Sequence, residues 1–348
     1  MTKTSLNYPF EQPPAAGELV NICEGLYWLR MSIPFQLNHI NLWLIEGEKS
    51  WAIVDTGIQS DETKENWEAI FEKYLKGKPV GSVAVTHMHP DHVGMAGWLC
   101  ERWQVDLTMT KTEWLYTQIG GDLALKHQSS YSEHYRRLGV EEEVVENLHK
   151  MYSFYSHLMA PLPGTFRRMA QGDIIDIGGL DWIVMIGQGH SPEHACLYCE
   201  EKNIIIGGDQ LLPGITPSIS VSVEEIDSNP LKEFLDSLEQ FYDLPEDVLV
   251  LPSHQLPYRG VHTRIDQLKA HHHSRCDMLI EACAEPKNAF DLVDVLFGHR
   301  KLGPMDRLMA LGETIAHANL LLNEGRLHRY LDDNEQYLYA LSENTESG

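Results

Sequence analysis

The sequence predicts an α+β fold in which two β-sheets pack face to face between outer helices, an αββα sandwich. Three observations predict it. Strand-like and helix-like segments alternate in two halves between residues 26 and 251, a pattern that calls for two sheets with helices packed outside. A helical stretch at 111–170 separates the halves, and beyond Val261 the chain is helical until a closing hairpin. With 348 residues, 43% of them hydrophobic, the chain holds one large domain plus a small appendage. The expected division is a domain at 19–261 with a helical cap at about 111–170, then a winged-helix-like domain at 262–342.

The elements follow in order. Residues 26–31, 40–46 and 51–54 are apolar runs, the last after the turn Gly47-Glu48-Lys49, and read as a β-meander. In 60–75, Trp67, Ile70, Phe71, Tyr74 and Leu75 share one helical face. Ser60 is placed to cap that helix, with Asp61 and Glu62 at its positive end. Residues 82–86 form a short buried strand. Strands resume at 173–177, 180–186, 195–199 and 204–206, and a helix at 230–242 precedes a strand at 248–251. Helices at 263–284, 290–297 and 306–323 and a hairpin at 325–341 close the chain, the order of a winged helix.

Composition narrows the function classes. A net charge of −24, from 27 basic and 51 acidic residues, repels phosphate backbones and argues against a nucleic-acid partner. No run is long and apolar enough to span a bilayer, and the N-terminus lacks the apolar segment of a signal peptide. The six cysteines are scattered, and Cys196 and Cys199, although spaced CxxC, fall on a predicted strand that separates their side chains. Reduced thiols in a cytoplasmic protein are the expectation.

Eighteen histidines direct attention to metal ligands. Thr86-His87-Met88-His89-Pro90-Asp91-His92 follows directly on a buried strand. Alternate residues leaving a strand end, His87 and His89, can grip one ion, and Asp91 and His92 can address a second beside it. Zinc accepts imidazole nitrogen and carboxylate oxygen readily.

This HxHxDH motif resembles that of the metallo-β-lactamase superfamily, and four further elements resemble its motifs in the same order. They are Ile53-Val54-Asp55-Thr56-Gly57, Gly189-His190-Ser191-Pro192-Glu193-His194, Gly207-Gly208-Asp209 and Ser253-His254-Gln255, the last usually Gly-His-Gly. The resemblance implies a first ion on His87, His89 and His190, a second on Asp91, His92 and His254, and Asp209 bridging them. Two zinc ions are implied, with iron or manganese able to occupy the same ligands. Asp55 would orient a ligand imidazole, and His194 would sit behind the ligands rather than among them. The nucleophile would be a metal-bound hydroxide, with Asp91 helping to pass a proton to the leaving group.

Substrate class rests on less. The first expectation is a carboxylic ester, thioester or lactone, a small molecule whose acyl group enters the helical cap. Phosphodiester or RNA cleavage is the alternative, because the tail also resembles that of a ribonuclease of the family. A β-lactamase comes third, an iron oxygenase fits the same spacing, and a non-catalytic metal-binding module is the weakest reading. Residues 262–348 carry 9 basic and 14 acidic side chains, poor material for phosphate binding, so a packing or dimer-forming role fits the tail better. Phe35, Tyr116, Tyr131, Tyr135 and Tyr155 are the candidate substrate contacts, with Tyr152, His134 and His157 near them in sequence. Arg167 and Arg168 read as a surface pair, and His271-His272-His273 as a solvated helix face.

Overall fold

The computed structural model describes residues 5–35, 37–146, 157–299 and 301–342. The chain divides into two units: Met1–Gly120, Tyr155–Pro217 and Glu239–Arg264 form the first, and Gly121–Phe154, Ser218–Leu238 and Ile265–Gly348 the second.

In the first unit, β1 (Val20–Cys23), β2 (Leu26–Ser32), β3 (His39–Glu46), β4 (Trp51–Val54), β5 (Val80–Ala84), β6 (Leu107–Met109) and β7 (Phe166–Arg168) form one sheet in that order. Its first four strands are an antiparallel meander, and β4 to β7 run parallel. The second sheet takes β8 (Ile174–Ile177), β9 (Leu180–Gly187), β10 (His194–Cys199), β11 (Ile204–Gly208) and β12 (Leu249–Pro252), in the order β12-β11-β10-β9-β8. There β11 and β12 are parallel and the other pairs antiparallel.

Strand alternation explains why the first sheet reads as unbroken apolar runs. Trp28, Trp43, Ala52 and Val54 pack with Trp182, Val184, Leu197, Ile206 and Leu251 of the second sheet. Their neighbours Leu29, Leu42, Leu44 and Ile53 pack instead with Trp67, Ile70 and Phe71 of helix α1 (Asp61–Tyr74) and Leu99. Both faces are therefore buried. Ser60 caps α1 as its position predicts, its hydroxyl accepting the Thr63 N–H at 3.0 Å. Helices α2 (Pro90–Val93), α3 (Ala96–Trp103), which carries Leu99, and α4 (Lys111–Lys126) follow.

One predicted helical segment is a strand. Phe166–Arg168 lies within the stretch expected to be helical, yet it pairs parallel with β6, Leu107 opposite Phe166, and Phe166 stacks on Trp114 at 4.7 Å. Three residues on a sheet edge leave no periodicity to read. The helix expected over 230–242 shortens to α6 (Pro230–Ser237) and continues as a 3-10 turn.

The second unit holds α5 (Gln128–Arg137) and α6, most of α7 (Val261–Ala282), then α8 (Ala289–Phe297), α9 (Pro304–Asn323), β13 (Lys287–Asn288), β14 (Leu327–Leu331) and β15 (Tyr337–Leu341). The strands order as β13-β15-β14. Residues 121–146 group with the C-terminal helices: Leu138 is fully buried, and its carbonyl accepts the Phe290 N–H at 3.1 Å.

His271, His272 and His273 do not share one solvated face. Consecutive residues spread around a helix, so His273 is exposed while His272 is fully buried. His317 Nδ1 lies 2.8 Å from the Glu313 carbonyl and must donate to it. His317 Nε2 is then the acceptor for His272 Nδ1–H at 3.1 Å, an arrangement that needs the His317 ring neutral. Burial, reinforced for His272 by His317, lowers His272 to about 2, and burial lowers His317 to about 4. A depressed imidazole contributes stability that is full above its unfolded pKa and is lost as pH falls toward the folded value. Stability should thus fall from about pH 6.5 downward, by up to about 1.4 kcal/mol per pH unit for each ring. Urea unfolding at about pH 7 and about pH 5 checks this; the expected loss at the lower pH should shrink in His272→Phe, and equal loss in both chains would contradict the assignment.

Candidate metal centre

The residues of the centre leave the carboxyl ends of strands, where open α/β sheets gather their sites. Asp55 follows β4, His87 to His92 follow β5, Asp209 follows β11 and His254 follows β12, with His190 between β9 and β10. Asn41 draws the strand ends together: its N–H donates to the Ser253 carbonyl at 2.7 Å and its amide to the Pro252 carbonyl at 2.8 Å. Gly208 has φ +53, and a Cβ there would meet the His194 ring at 2.4 Å, so only glycine lets the chain pass.

All seven predicted ligands come together, in two groups. Donor atoms of His87, His89, His190 and Asp209 lie within 4.8 Å of one another, as do those of Asp91, His92 and His254. In the first, His87 Nε2 stands 2.9 Å from His89 Nδ1 and 3.2 Å from His190 Nε2. In the second, His254 Nε2 and His92 Nε2 stand 3.5 and 3.7 Å from Asp91 Oδ2. Asp209 faces both: Oδ2 is 3.3 Å from His190, while Oδ1 is 3.5 Å from His254 and 3.6 Å from His92.

The outer nitrogens of three imidazoles are held, which leaves lone pairs pointing inward. His92 Nδ1 donates to Asp55 Oδ2 at 2.8 Å, and His254 Nδ1 to the His39 carbonyl at 2.8 Å. Thr86 Oγ1 gives its proton to Asp55 and lies 3.1 Å from His87 Nδ1, for which it is the acceptor. In the neutral ring each Nε2 then keeps a lone pair aimed at the centre. His92 Nε2 and Asp209 Oδ1 are buried without a hydrogen-bond partner. Buried acceptors facing other acceptors need a cation between them, so the donor set fits a metal centre.

The charges agree. Burial, then the neighbouring imidazoles, holds His87 and His89 well below the usual histidine range. Burial opposes a charge on His92 too, yet Asp55, Asp91 and Asp209 outweigh it and raise His92 to about 10. Burial would raise Asp209 as well, but His254 and His92 hold it well below the carboxylate range.

His194 is fully buried, and its Nε2 accepts the Asp209 N–H at 3.1 Å, supporting Asp209 from behind. Asp55 has φ +61 at the end of β4, a left-handed turn that Asp tolerates better than most residues. Gln255 has φ +69 where the family motif usually has glycine, and its N–H donates to His39 Nε2 at 2.9 Å. Thr86, His39, Asn41 and the buried Glu113 escaped the sequence reading. Thr86 alone carried a signal, its place directly before the histidine motif.

The candidate substrate contacts are dispersed. Phe35 and Tyr116 lie in the first unit, both exposed. Tyr131 and Tyr135 lie in the second, Tyr131 buried with its hydroxyl donating to Glu224 and Tyr135 edge-on to His134. Tyr152 and Tyr155 lie outside the described residues. His157, Arg167 and Arg168 are exposed. Among the described residues no helix is long and apolar enough to cross a membrane.

The sequence profile described as Metallo-beta-lactamase superfamily matches residues 36–254, and one described as Metallo-beta-lactamase-like, C-terminal domain matches 276–342. A crystal structure of a beta-lactamase domain protein from Burkholderia ambifaria is 42% identical, with a TM-score of 0.90 over 97% of this chain and 98% of that one. The probable metallo-hydrolase YqjP of Bacillus subtilis is 23% identical over 91% of this chain and 98% of its own length. The human acyl-coenzyme A thioesterase MBLAC2 is 23% identical over 66% of this chain and 78% of its own.

Proposed function

The chain belongs to the metallo-β-lactamase superfamily and is a metal-dependent hydrolase, and from that premise we propose that it binds two zinc ions and hydrolyses a carboxylic thioester, ester or lactone. One observation carries the two-ion reading: the two oxygens of Asp209 face different histidine groups. His87, His89 and His190 would hold one ion, Asp91, His92 and His254 the other, and Asp209 both. Such ions, when bound, lower the pKa of water toward neutrality and polarise the oxygen of the bond under attack.

The chain's own residues do the rest. Asp55, Thr86 and the His39 carbonyl fix the tautomers of His92, His87 and His254, so the donors are set before substrate arrives. Asp91 has a side chain 15% exposed, against 10% for Asp209, and is the more accessible carboxylate for passing a proton to a leaving group. Helix α4 leaves Leu115, Tyr116 and Ile119 exposed at i, i+1 and i+4, and Phe35 is exposed between β2 and β3. These are apolar surfaces of the kind an acyl chain covers. Likeness to an acyl-coenzyme A thioesterase supports the acyl class, and the net charge of −24 disfavours RNA.

The test pairs metal content of the purified chain with hydrolysis of p-nitrophenyl esters, acyl-CoA and glutathione thioesters, lactones, bis-p-nitrophenyl phosphate and a β-lactam. About two zinc ions per chain, with thioesters or esters cleaved, is expected. Cleavage of the phosphodiester alone, or one iron per chain, would overturn the reading.

A further inference from the structure

Glu113, in the first turn of α4, is fully buried and reaches both histidine loops. Its Oε2 accepts the Met88 N–H at 2.9 Å, between His87 and His89. Its Oε1 accepts the Glu193 N–H at 2.7 Å, three residues after His190. The loop after β9 grips back: Glu193 Oε2 accepts the Thr112 N–H at 2.7 Å, and its carbonyl accepts from Thr110 Oγ1 at 2.9 Å. These four hydrogen bonds clamp two loops that are far apart in sequence onto one helix start.

A carboxylate suits this position because both its oxygens only accept, and the two N–H groups opposite only donate. The clamp also discriminates between the two groups of donors. His87, His89 and His190 come from both clamped loops, whereas Asp91, His92 and His254 take nothing from the loop after β9. We infer that Glu113 is a positioning residue that holds His190 against His87 and His89, and so sets the affinity of that ion without setting the other. The inference rests on the two-ion reading of the centre.

Glu113→Gln keeps the shape but turns an NH2 group toward one of the two N–H donors, releasing one loop. Zinc-loaded chain titrated with a chromogenic chelator reads each ion separately. Expected in the variant is one ion weakened about 10–100-fold and the other unchanged. Introduced into His254→Ala, the same substitution should weaken the remaining ion; introduced into His190→Ala, it should change nothing. Glu193→Ala, at a half-buried position, should act in the same direction but less, which covers a Glu113 variant that folds poorly. Both ions weakened alike, or neither, in Glu113→Gln and Glu193→Ala overturns the inference. Wild-type chain binding fewer than two ions overturns the two-ion reading itself and the inference with it.

Discussion

Asp209→Ala is expected to lower hydrolysis by about a thousandfold or more, because it removes a carboxylate that faces both groups of donors. Several kcal/mol of transition-state stabilisation would depend on the proposed ions, and each 1.4 kcal/mol is about tenfold in rate. The fold should survive. Asp209 is buried among His92, His190 and His254, and its neighbours Gly208 and Gln210 hold the chain through backbone contacts that an alanine keeps. His89→Ala should show the same pattern, losing the ion proposed on its own group. Steady-state rates, metal content and a circular dichroism melt on the same samples make the check. A metal-depleted Asp209→Ala chain that turns over at the wild-type rate would remove the centre from the reaction.

Asp55→Asn is expected to cost 10–100-fold in metal affinity and activity, although Asp55 is not among the seven candidate ligands. Its carboxylate accepts from His92 Nδ1, from the Thr86 N–H at 2.8 Å and from the Thr86 hydroxyl. An amide has one acceptor where the carboxylate has two. If the NH2 group faces His92, the ring must accept at Nδ1, and its proton moves to Nε2, the atom aimed at the centre. The ligand is then blocked by its own tautomer. Chelator competition should find the ion proposed on Asp91, His92 and His254 weakened more than its proposed neighbour. Affinity within about twofold of wild type at both ions would refute the orienting role.

Much of the centre is legible because its chemistry is local. Four ligand-type residues within six positions, immediately after an apolar strand, have few readings other than metal. The three remaining candidate ligands are lone histidines and an aspartate in sequence, and resemblance to family motifs, not spacing, points to them. Glu113 left no trace of either kind. A glutamate in the first turn of a helix is ordinarily a solvated partner of the helix dipole, and burial beneath two loops 80 and 25 residues away in sequence is what turns it into a clamp. His272 was misread for a related reason: the helical period places three consecutive histidines around the axis but does not say which side meets α9.

By itself the sequence determined the two-sheet sandwich, most element positions and the short-range half of the metal cluster, because apolar periodicity and motif spacing act over a few residues. Tertiary structure alone decided which groups stand behind His87, His92 and His254, that Asp209 faces two groups of donors, and that residues 121–146 group with the C-terminal helices. Those outcomes depend on contacts between strand ends and loops brought together by folding. A hydrogen bond is specified by ångström-scale distance and angle, which one-dimensional spacing does not encode.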